Sequence, residues 1–192
     1  MSGRDAADGG ARASSRGRGR GLTLLRHTTP AVAPGTCYGR TDLALAESFE
    51  AEAEAVLAAL PGIRHLVTSP LSRCRRLAER IGAARGLDVE VAALWTEMDF
   101  GRWEGMAWDA IPRAELDAWA ADFLHARPHG GESVAELRDR VAAALAAAPG
   151  DGTLVVTHAG TIKAARHLHG IPGAWEESPA FGGLVALQGS PQ

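Results

Sequence analysis

Residues 22–30 read LTLLRHTTP, and this stretch decides how the rest of the chain is interpreted. The apolar run 22–25 predicts a short buried β-strand, and Pro30 prevents the strand from continuing. Arg26 and His27 follow the run directly. A cation and an imidazole are costly to bury unless something uses them, and the carboxyl edge of a parallel sheet is where α/β proteins bind ligands. These two residues are therefore predicted to lie in a functional site.

The composition is that of a globular protein. Of the 192 residues 46% are hydrophobic, and the net charge of −3 gives no general attraction to nucleic acid or membranes. Residues 1–20 are rich in Arg, Gly, Ser and Ala with almost nothing to bury, so we expect a disordered tail and then one domain over 21–192. The tail lacks the apolar core of a signal peptide, and no apolar run reaches the ~20 residues of a membrane span. Two cysteines, Cys37 and Cys74, do not suggest a disulfide framework, so a cytoplasmic protein is expected.

Predicted strands and helices alternate along the sequence. The strands cover 22–25, 63–69, 87–91, 153–157 and 183–188; the helices cover 46–60, 70–85 with Ser69 as N-cap, 113–125, a segment opened by the capping box of Ser133 and Glu136, and 159–169. This alternation predicts an α/β fold with a mostly parallel sheet between two layers of helices. The last strand is expected to be antiparallel.

Polar residues follow three of the predicted strands, and in a parallel sheet they share one edge. Arg73 falls in the first turn of the helix after the second strand, and His158 follows the strand 153–157. Arginine matches phosphate oxygens and stays charged, and neutral imidazole is a competent nucleophile near neutral pH. The leaving oxygen then needs a proton, which a carboxylic acid with a raised pKa can donate. The pattern predicts phosphoryl transfer, with His27 attacking phosphorus and Arg26 holding the phosphate oxygens.

Four motifs, taken in order, resemble those of the histidine phosphatase superfamily, which has the phosphoglycerate mutase-like fold. They are LLRHTTP at 24–30, SPLSRCRRLAE at 69–79, LWTEMDFGRWEG at 94–105 and VVTHAG at 155–160. Each motif is weak alone, but the four in this order span most of the chain. The resemblance therefore implies an α/β/α sandwich of that type.

The resemblance also implies roles for the matching residues. His27 would become phosphohistidine, and Arg26, Arg73 and His158 would form the phosphate pocket. His158 would be either protonated or a neutral hydrogen-bond donor to the transferred group. No metal and no cofactor are expected, because the family uses none and two guanidinium groups supply the positive charge.

Three further candidates lie in loops. Glu97 would be the proton donor to the leaving oxygen, with Glu104 as the alternative acid. Tyr38 and Arg40 lie in a loop rich in Pro and Gly after the first strand, where substrate contact and loop packing are about equally expected. We include both as candidate substrate-binding residues.

Departures from the family pattern favour a phosphatase over a mutase. Thr28 and Thr29 follow the nucleophile where the family usually has Gly and an acidic residue, and Ala33 stands where mutases tend to carry Asn. The segment 105–131 is also short beside that of the mutases, so less chain is left to enclose a bisphosphate. The expected partner is a small phosphate ester.

The loop GTCYGRTDLAL at 35–45 resembles that of the α-ribazole phosphatase branch. The expected substrate is therefore α-ribazole 5′-phosphate, a precursor of cobalamin. Two alternatives remain open: a phosphoglycerate mutase, and a phosphate-binding module without turnover whose Arg-rich tail docks on RNA. For the phosphatase, no nucleic-acid or membrane partner is expected, and a homodimer is left open.

Overall fold

The computed structural model describes residues 21–188, so the predicted tail over 1–20 lies outside the described residues. Five strands form one sheet: β1 Leu22–Arg26, β2 His65–Thr68, β3 Val89–Val91, β4 Thr153–Thr157 and β5 Leu184–Leu187. Five α-helices accompany them: α1 Phe49–Ala59, α2 Ser72–Arg85, α3 Arg113–Ala121, α4 Val134–Ala147 and α5 Ala159–Leu168. Within residues 21–188, no helix has the length and apolar character needed to cross a bilayer.

The strand order is β3-β2-β4-β1-β5. Strands β1 to β4 run parallel, whereas β5 pairs with β1 in the antiparallel direction. The prediction of an α/β fold with a mostly parallel sheet and one antiparallel strand is confirmed. Because β4 lies between β1 and β2, the carboxyl ends of these three strands meet at the centre of one edge.

Alternating side chains of the central strands pack against two layers of helices. Leu24 and Val155 belong to the apolar cluster on the side of α4 and α5, whereas Leu25 and Leu154 belong to the cluster on the side of α1 and α2. All four side chains are fully buried. Burial of each contributes roughly 1.5–3 kcal/mol relative to exposure, so the core fixes the strand ends that carry the polar residues.

Helix boundaries differ from the sequence prediction where side chains or backbone groups have other partners. The helix predicted over 70–85 begins at Ser72, and its N-cap residue is Leu71. Ser69 is therefore not the N-cap, and its hydroxyl is hydrogen-bonded to the imidazole of His158 instead. The helix predicted over 113–125 ends at Ala121. The capping box of Ser133 and Glu136 is confirmed.

A third apolar cluster joins the segment between β3 and α4 to the loop after β1. Its buried members are Trp103 and Ile111 from that segment and Cys37 from the loop, and partly buried aromatic side chains pack against it, among them Phe100 and Trp119. Besides α3, the segment contains three short 3-10 helices. The aromatic packing orders a long connection beside the site edge of the sheet.

Candidate active site

The carboxyl ends of β1 and β4 bring two histidines together. His27 directly follows β1 and His158 directly follows β4, and the two strands pair in parallel with Arg26 opposite Thr157. The two imidazole rings meet edge to face with 5.2 Å between their centroids. Both are buried, with 1% of His27 and none of His158 exposed. Residues 131 positions apart in the sequence therefore share one small space.

The hydrogen bond made by His27 determines which of its ring nitrogens is free. Nδ1 lies 2.7 Å from the carbonyl oxygen of Thr28, which can only accept, so Nδ1 carries the proton and Nε2 carries the lone pair. Burial, together with the positive charges of Arg73 and Arg26, lowers the pKa of His27 to about 3, although the Thr28 carbonyl opposes the shift. His27 is consequently a neutral imidazole with a free nitrogen at neutral pH.

His158 contacts polar side chains from the end of β2 and from α2. Its Nε2 is 2.7 Å from the hydroxyl oxygen of Ser69 and 3.4 Å from the sulfur of Cys74. Burial lowers the pKa of His158 well below its ordinary value, and the charge of Arg73 lowers it further. The lowered pKa favours the neutral imidazole of His158 at neutral pH.

Arg73 is a fully buried guanidinium from the first turn of α2. Its Nη1 donates to the carbonyl of Thr41 at 2.8 Å, and its Nη2 donates to the carbonyl of Gly39 at 2.6 Å. Within residues 21–188 the Nε–H of Arg73 has no acceptor, and no carboxylate forms an ion pair with this side chain. Two neutral carbonyls hold the group in place without cancelling its charge.

Arg26 supplies a second positive charge that acts on His27. Its Nη1 donates to the carbonyl of Pro179 at 2.7 Å, and its guanidinium carbon lies 3.8 Å from the ring centroid of Phe181. In the described part of the chain its Nε–H also lacks an acceptor. A cation–π contact stabilises the guanidinium and leaves its charge available. The two arginines thus form a site for an anion.

Glu97 reaches the same space from the loop after β3. It is 7% exposed, and its carboxylate accepts the backbone N–H of Met98 and of Gly160, each at 2.9 Å. Gly160 lies in the first turn of α5, and a Cβ atom at this position would collide with Oε1 of Glu97. The close approach requires glycine, so the start of α5 fixes the carboxylate.

Glu104, the alternative acid, is used by the backbone of neighbouring loops. It accepts the N–H groups of Arg40, Thr41 and Phe100 at 2.9, 2.7 and 3.2 Å, and it also accepts the Thr41 hydroxyl. Burial raises the pKa of Glu104, but these hydrogen bonds outweigh it, so the net pKa is below its ordinary value. The ionised carboxylate of Glu104 thus connects two loops through hydrogen bonds.

Arg140 on α4 holds the loop that carries Glu97, a role that the sequence analysis missed. Its guanidinium donates to the carbonyls of Leu94 and Thr96 at 2.8 and 2.7 Å and forms an ion pair with Glu132 at 2.7 Å. Helix α4 also contains Arg138, and nothing in the sequence distinguishes Arg140 from it. The contact distinguishes it, because only this arginine reaches the preceding loop.

A cavity of about 720 Å³ opens above the two histidines. Arg26, His27, Tyr38 and Glu97 contribute to its lining, whereas Arg73 and His158 are buried beneath it. Arg40 is not among the lining residues. Its guanidinium points to Asp99 and Glu132, each at 3.9 Å, and these partly exposed contacts contribute little to stability.

The walls of this cavity are mainly apolar and include several aromatic rings. The rings that line it, besides Tyr38, are Phe100, Trp108, Trp119, Phe123, Trp175 and Phe181. Trp175 and Phe181 come from the irregular segment between α5 and β5, which has no periodic pattern to draw attention to it. Lys163, also missed, lines the same cavity from α5. The sequence does distinguish Lys163, because it is the single lysine among 192 residues.

Within residues 21–188, no group of three or more His, Cys, Asp or Glu side chains is arranged to hold a metal ion. The cationic groups that face the cavity are the side chains of Arg26 and Lys163. Together with the buried Arg73 beneath them, they give the site a positive character. Its best ligand is therefore an oxyanion attached to an apolar or aromatic group.

Residues 22–178 match the sequence pattern of the histidine phosphatase superfamily (branch 1). The chain belongs to this family. The matched range contains both histidines, Arg26, Arg73 and Glu97. Membership supports phosphatase or mutase chemistry.

Named relatives of this histidine phosphatase domain include both kinds of enzyme. The "Probable phosphoglycerate mutase GpmB" of Citrobacter koseri is 36% identical over 146 residues, which are 70% of this chain and 67% of that protein. The structure of "Mycobacterial hydrolase 1" superposes with a TM-score of 0.76 at 27% identity and covers 88% of this chain and 89% of its own. A mycobacterial glucosyl-3-phosphoglycerate phosphatase superposes with a TM-score of 0.71 at 27% identity, with the same coverage of the two chains.

Proposed function

We propose that this protein is a metal-independent phosphomonoesterase that works through a phosphohistidine at His27. The observation that carries the proposal is the state of His27: a neutral imidazole whose Nδ1–H is held by Thr28, whose Nε2 keeps its lone pair, and whose pKa is lowered by burial and by the charges of Arg73 and Arg26. An attacking nitrogen needs a lone pair, and phosphoryl transfer needs positive charge around the phosphate oxygens. His27 supplies the lone pair, and the two arginines supply the charge.

In the first step Nε2 of His27 attacks phosphorus, an N–P bond forms and the bond from phosphorus to the ester oxygen breaks. The N–H groups of Arg26, Arg73 and His158 donate to the phosphate oxygens, with the free Nε–H of each arginine as a ready donor. Glu97, carrying a proton at this moment, gives it to the leaving oxygen, so the alcohol departs neutral.

In the second step the Glu97 carboxylate takes a proton from a water molecule. The oxygen of that water attacks phosphorus, the N–P bond breaks and the electron pair returns to Nε2 of His27. Inorganic phosphate leaves, and both residues are back in their initial forms. The backbone N–H groups of Met98 and Gly160 support this role, because they hold the Glu97 carboxylate in the lining of the cavity that His27 also lines.

Two features favour hydrolysis over mutase chemistry. A mutase must return the phosphoryl group to a small, highly charged phosphoglycerate, whereas the walls of this cavity are mainly apolar and include several aromatic rings. The family's usual Gly and acidic residue are replaced by Thr28 and Thr29, and Thr28 is fully buried beside the nucleophile. Phosphoglycerate mutase remains the second candidate, because relatives are named as probable mutases. Incubation with 3-phosphoglycerate and a bisphosphate primer separates them by the appearance of the 2-isomer.

Two substrates are the first to test within this reaction class. α-Ribazole 5′-phosphate is supported by the loop at 35–45 and by aromatic rings on which a benzimidazole can stack. Glucosyl-3-phosphoglycerate is supported by the name of one structural neighbour, and it combines a sugar with a carboxylate. In both cases the protein would act as a cytoplasmic enzyme on a small metabolite, with no nucleic acid or membrane as partner.

The decisive experiment measures phosphate release from 4-nitrophenyl phosphate by the full chain and by His27→Ala. Release is expected to fall below one thousandth in the variant, to persist at full rate in the presence of a chelator, and to be normal in His125→Ala, which changes an exposed histidine. A phosphoenzyme trapped during turnover is expected to be stable in base and labile in acid. Binding of phosphate by the wild type without any release would instead show a binding module.

A further inference from the structure

Lys163 stands in the cavity wall without a partner of its own. It lies in the first half of α5, where Ala159, Gly160 and Lys163 form one face of the helix and line the cavity together. Its side chain is half-buried, and within residues 21–188 it makes no hydrogen bond and no ion pair. A long flexible cation is normally found in solvent, because holding one in a cavity costs side-chain entropy and hydration.

The surroundings of Lys163 are short of negative charge. Burial lowers the pKa of its ammonium group; the carboxylate of Glu97 opposes the shift, and Arg26 and Arg166 add to it. Glu97 is already engaged by the backbone N–H groups of Met98 and Gly160. An ammonium in this setting is stabilised by an oxyanion that arrives from outside the protein.

The position of Lys163 shows which part of a substrate it would meet. In the proposed reaction Arg26 and Arg73 bind the phosphate group, whereas Glu97 serves the leaving oxygen. Lys163 lies near Glu97, since both line the cavity and α5 brings them together through Gly160, and the charge of Arg26 also acts on Lys163. An anion bound by Lys163 would therefore lie next to Glu97, on the alcohol part of the ester.

We propose that Lys163 is a specificity-determining residue that binds an oxyanion, such as a carboxylate, on the alcohol part of the substrate. The proposal rests on the proposed phosphatase function and narrows its substrate class to esters that carry a second negative group and an apolar or ring portion.

This inference ranks the two candidate substrates. α-Ribazole 5′-phosphate carries only hydroxyl groups and a neutral base on its alcohol part, so it would leave the ammonium without an anion. An ester of glycerate supplies a carboxylate. The substrate class with a second anion is therefore expected to be preferred over nucleoside-like esters.

The kinetic test compares two pairs of isosteric aryl phosphates, the carboxyphenyl and carbamoylphenyl phosphates substituted at position 3 or 4. Members of a pair have nearly the same shape, and they differ in the charge of the substituent. For at least one pair, the wild type is expected to have a kcat/KM about tenfold higher for the carboxylate, the size of one charge-assisted hydrogen bond. The ratio within a pair is the readout, so that losses common to both members cancel.

Three variants of α5 make the test specific. Lys163→Met is expected to bring the ratio close to one, and Lys163→Arg to keep most of it, since the positive charge is retained. Arg166→Gln removes the same charge from the same helix outside the cavity lining and is expected to keep the wild-type ratio. A ratio near one in the wild type, or an equal ratio in the wild type and in Lys163→Met, would overturn the proposal.

A binding measurement tests the anion site separately from turnover. Because Lys163 is the only lysine, reductive 13C-methylation of the full chain gives one lysine NMR signal apart from the amino terminus. The signal is expected to shift with 3- or 4-hydroxybenzoate and to stay unchanged with the matching hydroxybenzamide. No shift with either acid contradicts the anion site. If the wild type hydrolyses no ester at all, the proposed function fails, whereas the NMR result still decides the role of Lys163.

Discussion

His27 and Thr28 are joined by a hydrogen bond in which Nδ1–H of the imidazole donates to the adjacent carbonyl oxygen at 2.7 Å. This contact between neighbouring residues orients the ring and keeps its proton on the side away from the cavity. The other nitrogen, Nε2, is left with its lone pair near two arginines. The pKa of His27 is lowered to about 3, so the buried imidazole stays neutral at all pH values at which the enzyme would work.

The stability of the free protein is expected to fall between pH 7 and pH 5. The unfolded chain binds a proton at His27 with the ordinary pKa of 6.5, whereas the folded chain does so only near 3, so protonation favours unfolding below pH 6.5. From His27 alone the free energy of unfolding should decrease by about 2 kcal/mol over this range. The lowered pKa of His158 adds in the same direction. Urea unfolding at pH 7, 6 and 5 measures the change.

A matched pair of variants assigns this pH dependence. His27→Gln is expected to show a shallower decrease than the wild type, and His125→Gln, which replaces an exposed histidine, is expected to follow the wild type. Parallel curves for His27→Gln and the wild type would show that His27 is not held neutral by burial.

The effect of Glu97→Gln is expected to depend on the leaving group. A poor leaving group such as an aliphatic alcohol needs the proton, so kcat should fall by about 10²–10⁴-fold. For 4-nitrophenyl phosphate the loss should be much smaller, because nitrophenolate leaves without protonation. Glu104→Gln, which loosens the tie to Thr41, is expected to lower stability and to affect both substrates equally. Equal losses for the two esters in Glu97→Gln would exclude it as the acid.

Arg73→Lys is expected to lower kcat/KM by about 10²-fold or more, since a phosphate donor is lost in a buried site. The guanidinium of Arg73 donates to two carbonyls and keeps its Nε–H as a third donor without a partner among residues 21–188. One ammonium group cannot reproduce this arrangement. Inhibition by orthovanadate measures the loss of anion binding, and its inhibition constant should rise with the loss of activity. Arg75→Lys, on an exposed position of the same helix, should behave as the wild type. Unchanged vanadate inhibition in Arg73→Lys would place the anion elsewhere.

The sheet and the convergence of its polar ends could be predicted because they follow from simple patterns. Buried strands such as β1 and β4 are short segments of mainly apolar residues, and parallel strands place the residues after them at one edge. The order of the strands and helices is therefore enough to predict that His27 and His158 lie close together, without knowledge of side-chain contacts.

The details of the site depended on contacts that no local pattern encodes. Ser69 has the residue type and position of an N-cap, yet its hydroxyl binds His158, because that imidazole lies across the strand ends and competes for it. The aromatic rings of the segment between α5 and β5 follow no period, so their position over the cavity could not be predicted. Lys163 was overlooked because a single lysine on a helix usually faces solvent.

Arg140→Met is expected to weaken both the fold and the proton donor. Arg140 ties the carbonyls of Leu94 and Thr96 to α4 and pairs with Glu132, and most of this contact is buried. Removing it leaves Glu132 with only the partly exposed guanidinium of Arg40 at 3.9 Å, which should cost about 3 kcal/mol of unfolding free energy. Since the loop leads directly into Glu97, activity on poor leaving groups should fall more than activity on 4-nitrophenyl phosphate.

The surface pair of Arg138 and Asp139 provides the control for this prediction. Arg138→Met removes an arginine from the same helix, and since the pair lies at the surface it should cost less than about 1 kcal/mol and leave the leaving-group dependence unchanged. Adding Glu132→Gln to Arg140→Met should restore part of the stability, because the carboxylate that has lost its partner Arg140 is removed, without restoring the activity on poor leaving groups. If Arg140→Met lowers stability but leaves the ratio of activities on the two esters as in the wild type, Arg140 supports the fold without positioning Glu97.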